Sequence, residues 1–553
     1  MRLNTITLRF LIGLSILLIA SSIFIISLLV LKGLRFPYLV FSLISFAGLV
    51  LGLCQKKSYT YLYLSVFIWL GFWLKFSVHS IIGYQFIEPI GLFHGSAKNW
   101  EEVLNISSVG YCGVIVAGLL MLSFFKRSTS ISVNTISPPA WYLSVRKKLW
   151  VILLLATLVT AITNFSLSIH QIGLVPNTIL IWPMNAIISW LINIGLITAI
   201  LTLLWWDINL NISIGASIYA IIFEGFSSSI SVMSRAIYIF HVVPSLLPLA
   251  LNNNLKPRLW SRKKALLLIF GILFFFTLSI SAVTTLRNYY YQADSYSSTK
   301  LEVISTSLKD INNKILRSRT SIVSGDIEAL EVLAKLEETK LKTIEELNQE
   351  LQKLESVKNS KTLILVNEFQ YQIQGGMLQR ILFLSVDRWV GLEGVMAVQA
   401  YPDKNIDTLL DSIESKRGGS QADIFQKISQ SIYEKMAYEK YNFRSLPGFI
   451  AYLYFSGSFA VVFLGSIVLI SLVMFLELGI LALTGNRLLV SLYSAELANN
   501  VAQFGGEPRQ TLHYLFILAC GIGVVWFVSS RYFLDSLKAI GIYKPPTNGA
   551  NGC

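Results

Sequence analysis

The sequence predicts an all-α polytopic integral membrane protein, with about eleven transmembrane helices and a mostly helical extracytoplasmic insertion. Three observations support this fold class. Of the 553 residues, 54% are hydrophobic and only 14% are charged. Apolar segments of roughly 20 residues, the length that crosses ~30 Å of hydrocarbon, recur along the chain. One long polar stretch, from about 288 to 446, interrupts them.

The apolar segments give the predicted spans and the domain boundaries. The spans lie near 8–31, 36–54, 60–78, 109–125, 148–170, 184–206, 209–226, 236–252, 262–283, 457–483 and 511–530. The first is too long for a signal peptide and lacks a small-residue cleavage site, so we expect it to be retained. The predicted regions are an N-terminal transmembrane bundle (1–287), a helical hairpin (288–360), a loop or lid (361–446) and C-terminal transmembrane segments (447–553).

Basic residues predict the orientation of these spans. Lys and Arg collect near 56–57, 126–148 and 256–264, whereas the loops 79–108 and 171–183 contain few or none. Because basic residues beside a span stay in the cytoplasm, the N-terminus is predicted to be cytoplasmic and the long polar stretch extracytoplasmic. The +14 net charge partly reflects this bias. The segment 484–510 is predicted to be an amphipathic cytoplasmic connection.

The insertion begins with a pattern typical of a helical hairpin. Apolar residues alternate steps of three and four, and charged pairs at i,i+4 spacing accompany them. The apolar positions are Leu301, Ile304, Leu308, Ile311 and Ile315, then Ile344, Leu347, Leu351 and Leu354; the pairs are Glu331–Lys335 and Glu338–Lys342. Two interpretations stay open for the hairpin: a docking arm for another envelope protein, or a spacer that packs on itself.

Two further segments lead back to the membrane. From Met377 to Val398, apolar residues alternate with ionisable ones, a pattern that fits either a lid over a cavity or a half-buried helix whose Asp387 and Arg388 pair elsewhere. After a basic and aromatic approach to the membrane, Pro447 and Gly448 break any continuous helix. We therefore expect a short interfacial helix there, followed by the next span.

An arginine within the membrane region is the first candidate functional residue. Arg235 follows a polar stretch that starts at Glu224. A guanidinium keeps its charge at any accessible pH, and at bilayer depth it costs several kcal/mol unless water, a carboxylate or an anion meets it. Arg235 thus indicates a working cavity, a structural pair with Glu224, or an arginine that reaches the interface from a helix end.

Several classes of function lack support. The four cysteines show no CxxC or Cys/His spacing, so neither a metal site nor a disulfide framework is predicted. The nucleotide-binding, dinucleotide-binding, serine-hydrolase and zinc-protease motifs are also absent. We therefore expect no cofactor and no nucleic-acid partner.

Three short motifs, taken with the order of the spans, resemble a known family. They are Ser234-Arg235, the Arg380 to Gly391 spacing, and Pro447-Gly448 followed by Leu453-Tyr454 and Gly457. The arrangement is similar to the O-antigen polymerases, the oligosaccharide repeat-unit polymerases of bacterial envelopes. The resemblance implies a GT-C-like frame and a metal-independent glycosyltransferase of the bacterial inner membrane. Its substrates would be polyprenyl-diphosphate-linked glycans, and membrane lipids would be its other partners.

The resemblance leaves alternatives open. An O-antigen ligase would share nearly all of this chemistry, and a lipid-linked glycan flippase would also have many spans and buried charges. At 296–358, the expected partner is a chain-length co-polymerase or another envelope assembly protein.

Candidate site residues follow from this interpretation. For catalysis, Glu393 or Glu224 would orient or deprotonate the acceptor hydroxyl, and His241 is either the base or a packing residue. Arginine suits a departing diphosphate because its planar fork grips phosphate oxygens in two places. Trp389 would offer a face to a sugar ring, whereas Lys75 is either a snorkelling amine or a lipid-phosphate contact. The candidate substrate-binding residues are Arg235, Arg380, Arg388, Trp389, Arg444, Lys75 and His79.

Overall fold

The structure is a computed structural model of the chain. It describes residues 5–31, 33–55, 58–83, 86, 88–128, 138–139, 141–251, 262–292, 311, 315, 335–345, 386, 389, 391–414, 423–430, 446–505, 508–530 and 533.

The described part of the first 292 residues folds into long helices joined by short loops. They are α1 (Thr5–Val30), α2 (Arg35–Cys54), α3 (Tyr59–Ile82), α4 (Ala97–Ser128), α5 (Tyr142–Leu167), α6 (Met184–Asn209), α7 (Gly215–Ser231), α8 (Arg235–Leu251) and α9 (Arg262–Gln292). Local signals mark the ends of α3. Ser58 caps its start by accepting from the Tyr61 amide, and Gly83, with φ 69°, ends it in the left-handed region.

Shorter and longer helices alternate in the second half of the described chain. They are α10 (Leu392–Ala400), α11 (Ile406–Glu414), α12 (Ile424–Ile428), α13 (Phe449–Tyr454), α14 (Phe459–Thr484), α15 (Arg487–Phe504) and α16 (Pro508–Ser529). The chain divides into two compact units. The larger unit comprises Met1–Val283, Ile381–Ser431 and Tyr438–Cys553, and the smaller comprises Thr284–Arg380 and Ile432–Ala437. The described residues between 381 and 431 thus fold with the membrane helices.

Within the described residues, eight helices are long and apolar enough to cross a membrane: α2, α3, α4, α5, α6, α9, α14 and α16. The chain is therefore an all-α, multi-pass membrane protein. The predicted count of eleven is not confirmed. Helices α7 and α8, which occupy two predicted spans, have 17 residues each, fewer than the roughly 20 that cross a bilayer.

The segment 484–510 differs most from its prediction. It forms the 18-residue helix α15, most of whose residues are buried among the other helices. The prediction of an amphipathic connection is therefore wrong. The physical reason is that Glu496, Asn499 and Asn500 lower the hydropathy of α15, yet neighbouring helices cover it, so its polar groups need not face lipid.

Hydrogen bonds give the direction of α15. The Tyr63 hydroxyl and the Ser491 hydroxyl are 2.8 Å apart, and four residues earlier on each helix Tyr59 and Arg487 interact electrostatically. The equal offset means that α15 runs parallel to α3. α16 in turn follows the direction of α6: Trp190 donates to the Ile517 carbonyl, and a Cβ on Gly521 would meet Thr198.

The predicted break at Pro447-Gly448 is confirmed. Gly448 has φ 71°, the six-residue helix α13 follows, and Ser458 then caps α14. Tight contacts hold this segment in place. The Gly448 amide donates to the Gln503 carbonyl at 2.9 Å, and a Cβ on Gly394 would lie 1.8 Å from the Pro447 carbonyl oxygen.

Those contacts place α10 inside the bundle. Every residue of α10 except its last is buried, and the helix packs on α4 and α13. Of the two interpretations of Met377 to Val398, a buried helix therefore describes 392–398. Asp387 and Arg388 lie outside the described residues.

Only part of the predicted hairpin is described. Residues 335–345 are helical, and Lys342 donates to Glu338 at 2.8 Å on an exposed face. This confirms one predicted i,i+4 pair. The remainder of 296–358, apart from residues 311 and 315, lies outside the described residues.

Candidate functional site

Two described transmembrane helices contain a π-helical segment, and each segment adjoins a buried polar cluster. In α3 the segment is Trp69–Leu74, directly before Lys75. In α6 it is Leu191–Gly195, which includes Asn193. Short π-helical segments occur frequently at functional sites because they disturb the regular backbone hydrogen bonding. The buried polar side chains beside both segments are therefore candidates for a functional site.

A buried carboxylate–imidazole pair joins α7 to α8. Glu224 and His241 have relative side-chain exposures of 0% and 1%, and Glu224 Oε2 lies 2.9 Å from His241 Nδ1. The other carboxylate oxygen accepts from the Ser228 hydroxyl at 2.8 Å. On the far side of the ring, Nε2 lies 2.9 Å from the Asn193 carbonyl oxygen, within the π-helical segment of α6.

These partners determine where the protons of the pair lie. A carbonyl oxygen only accepts, so His241 Nε2 carries a hydrogen. One further proton is then shared between His241 Nδ1 and Glu224 Oε2, and the pair is either an imidazolium with a carboxylate or a neutral imidazole with a carboxylic acid. In this conformation both ring nitrogens of His241 are engaged.

A second histidine extends this network. Asn193 Nδ2 lies 3.1 Å from His170 Nε2, and Asn164 accepts from the His170 backbone amide at 2.8 Å. Burial lowers the pKa of His170, partly offset by its contact with Asn193. Since an amide nitrogen donates, a neutral His170 that accepts at Nε2 fits this geometry.

Lys75 of α3 and Glu393 of α10 form a buried ion pair. Their side chains are 0% and 1% exposed. Lys75 is thus not a snorkelling amine, because its ammonium group lies inside the protein and not at an interface. His79, one turn further along α3, stacks on Phe86 with ring centroids 4.3 Å apart.

Arg235 is the first residue of α8 and is partly exposed. The turn before it is tight: Met233 has φ 55°, and the Ser234 amide donates to the Ser229 carbonyl at 2.9 Å. Six residues separate Arg235 from His241, a rise of about 9 Å along the helix. The α7–α8 hairpin thus holds a permanent cation at its turn and the Glu224–His241 pair at a deeper level.

Trp389 lies against α3, where its ring stacks on Phe67 with centroids 5.2 Å apart. Phe67 also contacts Phe240 of α8 at 5.7 Å. All three rings are partly exposed, and Phe240 is the neighbour of His241. The structure therefore places the predicted residue Trp389 in one aromatic cluster with Phe67 of α3 and Phe240 of α8, neither of which was predicted. Arg380, Arg388 and Arg444 lie outside the described residues.

Sequence reasoning missed Glu496. This side chain of α15 interacts electrostatically with His241 and is partly exposed, although Tyr493, Ala495 and Leu497 around it are buried. The available signal was a single acidic residue inside the mostly apolar run from Leu488 to Val501. A carboxylate in such a run is expensive in a membrane and therefore indicates a function.

Among the described residues, no group of three or more His, Cys, Asp or Glu side chains is placed to hold a metal ion. Comparison of the chain with protein-family models, with curated proteins and with solved structures finds no match.

Proposed function

We propose that the protein is a membrane glycosyltransferase that polymerises polyprenyl-diphosphate-linked oligosaccharide repeat units into O-antigen or exopolysaccharide. It would act at the outer face of the bacterial cytoplasmic membrane. The observation that carries this proposal is the α7–α8 hairpin, which holds Arg235 at its turn and the Glu224–His241 pair about two helical turns away.

The donor substrate would explain why the cation Arg235 lies at the turn between α7 and α8. Its sugar is already activated by the diphosphate, so the enzyme must bind two lipids side by side and stabilise a leaving group of two or more negative charges. Arg235 is partly exposed and permanently charged, and it lies at the positive end of the α8 dipole. A diphosphate at this point would be attracted both by the charge of Arg235 and by the α8 dipole. The resemblance implies further cationic contacts from Arg388 and Arg444, which lie outside the described residues.

The acceptor substrate accounts for the remaining residues. The hydroxyl that attacks the anomeric carbon must be oriented and deprotonated, and the Glu224–His241 pair stores a proton at the level of the aromatic cluster. The partly exposed face of Trp389 suits a sugar ring. The Lys75–Glu393 pair would hold α10, and with it Trp389, against α3.

The lipid-linked products of a deletion strain test this function. Loss of a polymerase leaves single repeat units on the carrier lipid, and the purified protein should convert those units into lipid-linked dimers and longer chains. Accumulation of long polymer would indicate an O-antigen ligase instead. Accumulation of cytoplasm-facing intermediates would indicate a flippase, and either result would overturn the proposal.

A further inference from the structure

The helices α3, α8 and α15 bring Glu496 to the level of the aromatic cluster. Ser491 bonds with Tyr63 of α3 at 2.8 Å. Because α15 runs parallel to α3, Glu496, five residues after Ser491, lies level with Phe67, four residues after Tyr63.

The contacts with α8 give the same level independently. The Ser491 hydroxyl donates to the Pro244 carbonyl at 2.7 Å. Glu496 in turn interacts with His241, three residues before Pro244. α15 therefore runs antiparallel to α8, and Glu496 faces the turn that carries Phe240 and His241.

Several side chains at this level are more exposed than some of their neighbours. Glu496, Phe67, Phe240 and Trp389 are all partly exposed. In contrast, Tyr493, Leu497 and other neighbours on α15 are buried, as are Leu64 and Ile68 beside Phe67. One carboxylate and three aromatic rings at about the same depth are therefore not fully covered by the protein. Aromatic faces combined with a carboxylate match a sugar, which offers apolar C–H faces and hydroxyl donors.

Glu496 differs in its hydrogen bonding from the neighbouring Glu224–His241 pair. Both ring nitrogens of His241 are engaged, and Glu224 accepts from Ser228 while it shares a proton with His241. Both groups are also buried. Among these three ionisable groups, Glu496 is the one that a ligand reaches without breaking a buried hydrogen bond.

We infer that Glu496 is the general base of the transfer reaction and that Phe67, Phe240 and Trp389 form the subsite for the acceptor sugar. This inference rests on the proposed function. The acceptor hydroxyl oxygen bonds to the anomeric carbon of the donor as the bond between that carbon and the diphosphate oxygen breaks. The electron pair leaves with the polyprenyl diphosphate, and the hydroxyl proton moves to the Glu496 carboxylate. The Glu224–His241 pair positions α8 beside Glu496.

Glu496→Gln tests this inference with little change in shape. General-base catalysis contributes about 10²–10⁴-fold, so kcat for dimer formation should fall by about that factor while KM changes little. Glu496→Asp should retain part of the activity. The matched control is Glu101→Gln, the same change at an exposed glutamate of α4, which should leave kcat unaltered.

Carbodiimide labelling supplies a readout that does not depend on activity. Dicyclohexylcarbodiimide modifies reachable carboxyl groups in apolar surroundings, and peptide mass spectrometry locates the modified residue. In the wild-type protein we expect label on Glu496 and protection by lipid-linked repeat units isolated from the deletion strain. This experiment decides the matter if Glu496→Gln does not fold.

The outcomes separate the two proposals. A wild-type protein that forms no lipid-linked dimer contradicts the proposed function. An active wild-type protein whose Glu496→Gln variant has a similar kcat, or whose label on Glu496 is absent or unaffected by substrate, overturns the inference about Glu496 alone.

Discussion

At the scale of single residues, the protein combines a partly exposed cation with buried, paired charges. Arg235 begins α8, where a cation meets the positive end of the helix dipole. Lys75, in contrast, is fully covered and neutralised by Glu393. Position therefore distinguishes the two kinds of charge: Lys75 and Glu393 are buried and hold α10 to α3, whereas Arg235 is partly exposed at the start of α8.

Arg235→Ala should lower chain elongation by about 10²–10³-fold, the loss typical when one preorganised group that stabilises developing charge is removed. Arg235→Lys should restore only part of the activity, because a lysine lacks the planar fork. The measurement is the rate of lipid-linked dimer formation by purified protein. Arg35→Ala is the matched control, since Arg35 also opens a helix and is exposed. Full activity of Arg235→Ala would remove this residue from the mechanism.

The Glu224–His241 pair should contribute to stability as a unit. Breaking a buried ion pair by changing one partner typically costs about 3–5 kcal/mol, because the other charge is left uncompensated. We expect Glu224→Gln and His241→Asn each to lower the free energy of unfolding in detergent by about this amount. The double variant should cost about 1–3 kcal/mol less than the sum of the two. Additive losses would show that the two side chains act separately.

At the scale of elements, the sequence predicts local breaks better than buried polar helices. Pro447 and Gly448 act on their own backbone, so the short helix α13 and the start of α14 follow from local rules. α15 was missed because its hydropathy is lowered by Glu496, and its burial depends on α3, α6 and α8, which are distant in sequence. The candidate site shows the same division: the sequence alone predicts Glu224, His241 and Trp389 as candidates, whereas Glu496 becomes a candidate only through the packing of α15.

The close contact between α10 and the Pro447-Gly448 segment depends on Gly394, which has no side chain. A Cβ on Gly394 would lie 1.8 Å from the Pro447 carbonyl oxygen, so Gly394→Ala should force the two elements apart. Overpacking of this kind costs about 1–3 kcal/mol, measurable as a lower free energy of unfolding. Gly479→Ala in α14 is the control. Nothing lies within 4 Å of its Cβ position, and replacing glycine within a helix should stabilise the protein by about 0.5–1 kcal/mol. Equal effects of the two changes would contradict this packing.

At the scale of the whole molecule, the direction of α15 predicts a different path of the chain from the one that a connecting loop would give. If 484–510 were only a loop, α14 and α16 would be consecutive spans whose connection lies on one face of the membrane. In the structure α15 instead runs parallel to α3 from the level of Tyr59, and its end reaches Gly448, whose amide donates to Gln503. α16 then follows the direction of α6. The loops at the two ends of α15 should therefore lie on opposite faces of the membrane.

Cysteine accessibility tests this path. Arg487 and Arg509 are exposed and stand at the starts of α15 and α16. In a background where Cys54, Cys112, Cys520 and Cys553 are replaced by serine, we would introduce Arg487→Cys and Arg509→Cys separately and treat intact cells with a membrane-impermeant thiol reagent. One variant should react before the cells are permeabilised and the other only afterwards. The basic pair at 56–57 predicts that Tyr59 lies near the cytoplasmic face, and Arg487 lies at the level of Tyr59. Arg509→Cys should therefore be the variant that is labelled from outside. Labelling of both positions from the same side would mean that α15 does not pass through the bundle, and Glu496 would then lie too far from the aromatic cluster to act there.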